Sequence, residues 1–202
     1  MNLVWLGPIA LYAIVTAFTP GPNNMMLLAS GTNFGFRKTV PHTLGITAGV
    51  FLIQMALGLG LGEVFKLLPW LYLILRVASL LYLLYLAYKI ATSGTPSGSA
   101  EGTAKSKPMT FLGATAFQVI NPKLIIVSIG FLSAYLPANP PIEKLLAGVL
   151  VNTFVGYLST IAWAGLGVVV NKFLQQPRAI RIFNWTMAIL LVASMVPVVY
   201  EG

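Results

Sequence analysis

The apolar positions of this chain neither alternate nor keep to one helical face; they run on in long blocks. Six blocks reach the roughly 20 residues needed to cross about 30 Å of hydrocarbon. They are 3–30, 40–61, 69–91, 111–135, 145–170 and 182–200. A backbone in lipid has no water to bond, so it must satisfy itself as helices or as a closed barrel. A barrel needs apolar/polar alternation, and the run Leu80, Leu81, Tyr82, Leu83, Leu84, Tyr85, Leu86 has none. The pattern predicts an all-α integral membrane protein with six transmembrane helices.

One stretch breaks the apolar register for long enough to divide the chain. Residues 92–107 read TSGTPSGSAEGTAKSK, the small polar composition of a flexible linker. The predicted organisation is therefore a three-helix half at 1–91, a cytoplasmic linker at 92–107 and a second three-helix half at 108–202. An odd number of spans per half makes the second half an inverted copy of the first, an arrangement common among secondary transporters. Two short echoes favour this: Ala17–Phe18 before Pro20–Gly21–Pro22 against Ala116–Phe117 before Asn121–Pro122, and Gly58–Leu59–Gly60 against Gly165–Leu166–Gly167.

The first and fourth blocks carry interruptions at corresponding places. In the first, Pro20, Gly21 and Pro22 remove two amide donors, set two ring clashes against the preceding turn and lower the barrier to unwinding. Asn23 and Asn24 follow with amide donors and acceptors. In the fourth, Gln118, Asn121, Pro122 and Lys123 form a second break with a cation. Irregular backbone at membrane depth is tolerated where it is buried in protein or lines a wet cavity, and paired interruptions point to a transporter's binding site. Freed amides would suit a carboxylate and freed carbonyls an ammonium, the two ends of a small zwitterion. A plain structural kink explains one such break; the second favours a site. Lys123 either meets a substrate carboxylate, compensates carbonyls at the break, or snorkels to the cytoplasmic face.

Other polar positions are less specific. Asn152 shares a helical face with Gly148 and Gly156; the glycines read as close packing, and Asn152 as interhelical glue or cavity lining. Gly45 and Gly49 read as a close-packing motif, and Gln54 beyond them could pack or line a cavity. The single histidine, His42, titrates near neutral pH; it could relay protons, but reads more simply as a solvated side chain at the cytoplasmic interface. Tyr82, Tyr85 and Tyr88 suit packing or interfacial anchoring.

Composition agrees with the lipid reading and removes others. Of 202 residues, 57% are hydrophobic and only 8% charged, against roughly a quarter charged in soluble domains. The net charge of +8 comes from residues scattered between apolar blocks, so positive-inside placement explains it and nucleic-acid binding is not expected. Loops after the first, third and fifth blocks hold eight Lys and Arg, and the opposite side holds Lys66, Arg76 and Lys144. That excess predicts both termini outside the cytoplasm. Residues 1–18 lack the basic start of a cleaved signal, so the first block is expected to stay as a span. With no Asp, no Cys, one His and four Glu, the chain has too few parts for acid–base or triad chemistry. No catalytic residue, cofactor or metal is expected, and the chain is not read as an enzyme.

Along these same motifs the chain resembles the lysine-exporter (LysE) superfamily, and more closely its RhtB branch of homoserine, threonine and neutral amino-acid exporters. The resemblance rests on Thr19–Pro20–Gly21–Pro22–Asn23, Gly35–Phe36–Arg37, Gly45 and Gly49, the tyrosine run from Tyr82 to Lys89, and Asn121–Pro122–Lys123. It implies a multi-pass exporter of the bacterial inner membrane, driven by the proton gradient. Asn23–Asn24 and Gly35–Phe36–Arg37 look most like the cysteine and O-acetylserine exporters. Thr39 departs from the glycine of many relatives, and the second block lacks the acidic residue expected of basic-amino-acid exporters, which argues against lysine or arginine as substrate. The expected partners are a small amino-acid-like substrate and the lipid bilayer, with room for a homo-oligomer. The expected translocation residues are Pro20, Gly21, Pro22, Asn23, Asn24, Gln118, Asn121, Pro122, Lys123 and Asn152. The rival reading is a non-transporting membrane subunit whose polar breaks bind a partner helix.

Overall fold

The computed structural model describes residues 4–61, 69–93, 107–137, 139–174 and 176–194. Lys66, most of the predicted linker and both ends of the chain lie outside them. Among the described residues there are eight α-helices and no strand. They are α1 (Leu6–Phe18), α2 (Pro22–Phe34), α3 (Phe36–Ala56), α4 (Pro69–Ala91), α5 (Phe111–Ile120), α6 (Pro122–Tyr135), α7 (Ile142–Phe173) and α8 (Pro177–Ala193). Prolines open α2, α6 and α8 at the first turn, where the missing amide costs nothing.

Three stretches are long and apolar enough to cross a membrane unaided: Phe36–Leu61, Leu73–Ala91 and Ile142–Phe173. The bent pair α5–α6 makes a fourth if counted as one span. Exposed side chains such as Leu11, Leu81, Phe154 and Ile189 face outward, while Asn24, Gln54, Gln118, Asn121, Asn152 and Asn184 are buried. Apolar outside and polar inside is the pattern of a protein solvated by lipid.

Several boundaries differ from the sequence reading. The expected loop after the first block shrinks to Gly35, whose φ of 79° takes the turn alone, so Arg37 and Lys38 lie in the first turn of α3. Because α3 begins at Phe36, His42 sits nearly two turns inside it and is 2% exposed. It is not the solvated interfacial side chain expected. After Ala56 the helix widens through Leu57–Leu61, a turn that holds Gly60 at φ of 103°. Gly165–Leu166–Gly167, its sequence echo, stays helical within α7.

Packing is tightest where glycines let backbones touch. A methyl on Gly31 would strike the carbonyl of Ala164, and one on Gly167 the carbonyl of Leu28. Thus α2 and α7 meet backbone to backbone. Gly45 and Gly49 do the same for α3 against α5, at the carbonyls of Phe111 and Thr115, with the Gln118 side chain also against Gly49, as their spacing suggested. Gly156, also expected to pack, has no neighbour within 4 Å of a built methyl and faces a cavity instead. Apolar clusters fill the rest: Met25, Leu83, Phe117 and Leu191 join α2, α4, α5 and α8; Ile9, Phe131 and Val149 join α1, α6 and α7.

Candidate functional site

The two interruptions expected from the prolines are present, and they face each other. Between α1 and α2 the chain leaves the helix at Thr19 and is fully extended at Gly21. Between α5 and α6 it leaves at Asn121, with a bend of 67°. The Lys123 ammonium, at the start of α6, donates to the carbonyls of Thr19 (2.6 Å) and Pro20 (3.4 Å) across the gap. Asn23 and Gln118 exchange both amide bonds, at 2.9 and 3.1 Å.

At this break the carbonyls of Ala17, Thr19 and Pro20 are already engaged. Asn24 donates to Ala17 O and Thr19 O, each at 2.9 Å, and the Ser159 hydroxyl donates to Ala17 O at 2.9 Å. With Lys123 these side chains replace the missing turn. The expectation that main-chain carbonyls would await an ammonium is therefore corrected for these three: a buried carbonyl without a partner is costly, and the protein supplies its own donors to them. Asn121 is likewise engaged, its side-chain oxygen capping Leu124 N (3.4 Å) and its amide donating to Gln118 (3.1 Å).

Beside the crossing lies a cavity of about 90 Å³. At roughly 10–15 Å³ per water-sized group, it holds about as many non-hydrogen atoms as a small amino acid has. The first turns of α2 and α6 border it, at Gly21 to Asn24 and at Asn121, Lys123 and Leu124. Two helix N-termini and a lysine give that side a positive potential. On the far side, Gln54 of α3 donates to Asn152 of α7 at 2.9 Å. The remaining Gln54 Oε1, Asn152 Nδ2 and Thr153 Oγ1 are buried without a partner. Unsatisfied buried amides are rare. Here one acceptor and one donor stand together at a cavity wall.

Of the ten expected residues, Gly21, Pro22, Asn23, Asn24, Asn121, Lys123 and Asn152 line this cavity, and Pro20, Gln118 and Pro122 do not. Sequence reasoning left Gln54 undecided and passed over Thr153. A polar residue in an apolar block was the available signal, but the partner of each depends on how α3 crosses α7.

The class defined by this arrangement is a polytopic helical membrane protein with paired helix breaks around a small polar cavity. Residues 14–202 match the family model described as LysE type translocator. The chain belongs to the LysE family, and is thus an integral membrane protein of a translocator family. Among curated relatives, the cysteine/O-acetylserine efflux protein of Shigella flexneri serotype 5b (strain 8401) is 31% identical over 202 residues, covering 99% of this chain and 100% of the relative. The protein of that name from Escherichia coli (strain K12) is 32% identical over 191 residues, 94% of each chain. No solved structure matches the chain.

Proposed function

We propose that this protein exports small neutral amino acids or their derivatives, of the class that includes cysteine, O-acetylserine, homoserine and threonine. Its relatives are named for cysteine and O-acetylserine efflux. The observation that carries the reading is the cavity between the two breaks, with unpartnered amide atoms of Gln54 and Asn152 on one wall. In this reading the substrate carboxylate faces the α2 and α6 N-termini and Lys123, and its ammonium is taken by Gln54 Oε1. The breaks hold the site at mid-depth, with six spans arranged as two inverted halves and both termini on the outer face. Export is coupled to the proton gradient.

Counterflow of labelled O-acetylserine and cysteine in proteoliposomes tests this. Gln54→Ala and Asn152→Ala are expected to cut flux about tenfold or more, the effect of losing a hydrogen bond to a charged group. Flux equal to wild type in both variants removes the assignment, and no flux in any form removes the exporter reading. An imposed proton gradient should drive accumulation that an uncoupler abolishes.

A further inference from the structure

A second, larger cavity of about 320 Å³ lies further along α2. The first turn of α2 borders the first cavity, and Met26, Ser30 and Asn33 border the second. On α3 the order is reversed, with Gln54 at the first and His42 at the second. On α5–α6, Gly113 lies at the second and Asn121 at the first, with buried Phe117 and Gln118 between. The two cavities are therefore in series, parted at the level of the Asn23–Gln118 amide pair.

The second cavity has its own chemistry. Among the described residues Lys89 and Lys107 line it and no carboxylate does, so these side chains give its wall a positive potential that attracts a carboxylate. Tyr82 and Tyr85 supply ring faces and hydroxyls beside them, and the Lys89 ammonium sits 5.5 Å from the centre of the Tyr85 ring. His42 forms part of the wall at 2% exposure, and both of its ring nitrogens lack a hydrogen-bond partner. An imidazole buried so completely with neither nitrogen satisfied is costly. A ligand that reaches the ring removes that cost.

We propose that this cavity is a second binding site, which anchors a small amino acid by its carboxylate. Lys89 and Lys107 attract the carboxylate, His42 gives it a hydrogen bond at the inner wall, and the tyrosine faces receive the ammonium. The choice of an amino acid as ligand rests on the exporter reading above. The site then loads substrate on the Lys89 side of the Asn23–Gln118 barrier before passage to the first cavity.

The test is equilibrium dialysis of purified full-length protein in detergent against labelled O-acetylserine, with its methyl ester as a second probe. Wild type is expected to bind two equivalents per chain. Lys89→Gln with Lys107→Gln, both at exposed positions that do not risk the fold, should weaken one equivalent about tenfold or more. His42→Ala should weaken the same one, and Gln54→Ala with Asn152→Ala should remove the other. The ester, which has no carboxylate, should lose both equivalents, because the first cavity also holds the substrate by its carboxylate. One equivalent, lost only with Gln54 and Asn152, overturns the second site and leaves the exporter reading standing. One equivalent, lost only with His42 and the lysines, upholds the second site and overturns the first. No binding overturns both, and ester binding equal to that of the acid overturns the carboxylate anchor.

Discussion

The two helix breaks perform the same task by different means. The break at Asn121 spans one residue and repairs itself: Asn121 caps the following helix with its own side chain and bonds back to Gln118. The break at Thr19–Gly21 is longer, and its carbonyls are capped from three directions, by Asn24, by Ser159 of α7 and by Lys123 of α6. Local sequence thus caps one break by itself, while the other, set by its prolines and capped in part by nearby Asn24, also draws donors from distant helices. The first break should accordingly depend on tertiary structure and the second much less.

Thermal melting in detergent, followed by tryptophan fluorescence, can break or sharpen that contrast. Lys123→Met should cost the most, about 1.5–3 kcal/mol, because it takes a charged donor from two carbonyls of the other half; an unchanged melting curve would mean that the crossing is incidental. Asn24→Ala, which loses two neutral bonds, should cost about 2 kcal/mol. Asn121→Ala should cost about 1 kcal/mol, as helix caps do, and Asn121→Ser should recover most of it; no recovery would show that the second break also leans on distant partners. The smallest effect is expected for Gly21→Ala added to Lys123→Met. A methyl on Gly21 would lie 2.7–2.8 Å from the Lys123 side chain, so Gly21→Ala alone should be harmful, yet add under about 0.5 kcal/mol once the lysine is gone. Additive costs would place the glycine's role elsewhere.

The same contrast marks what could be read from sequence. Proline and glycine announce where a helix must stop, because their effect is covalent and local, so both breaks were legible. Lys123 was legible as a cation that could compensate carbonyls at a break, but not as the cap of α1 in particular, since those partners lie about a hundred residues away. Gln54, Asn152 and Thr153 carried only the signal of polarity in an apolar block; what leaves their atoms unpaired is the register between α3 and α7. His42 was misplaced for a smaller reason. Gly35 takes the whole turn with one left-handed residue, and that draws the start of α3 forward and His42 into the interior.

The backbone contacts at Gly31 and Gly167, and at Gly45 and Gly49, have a mechanical meaning. They rivet α2 to α7 and α3 to α5, two stiff pairs that cannot slide without breaking van der Waals contact along their length. Across the seam between the pairs run the amide bonds of Asn23 with Gln118 and of Gln54 with Asn152. In the proposed export cycle, one pair rocks on the other with these amides as latches, and each chamber opens in turn without unfolding either.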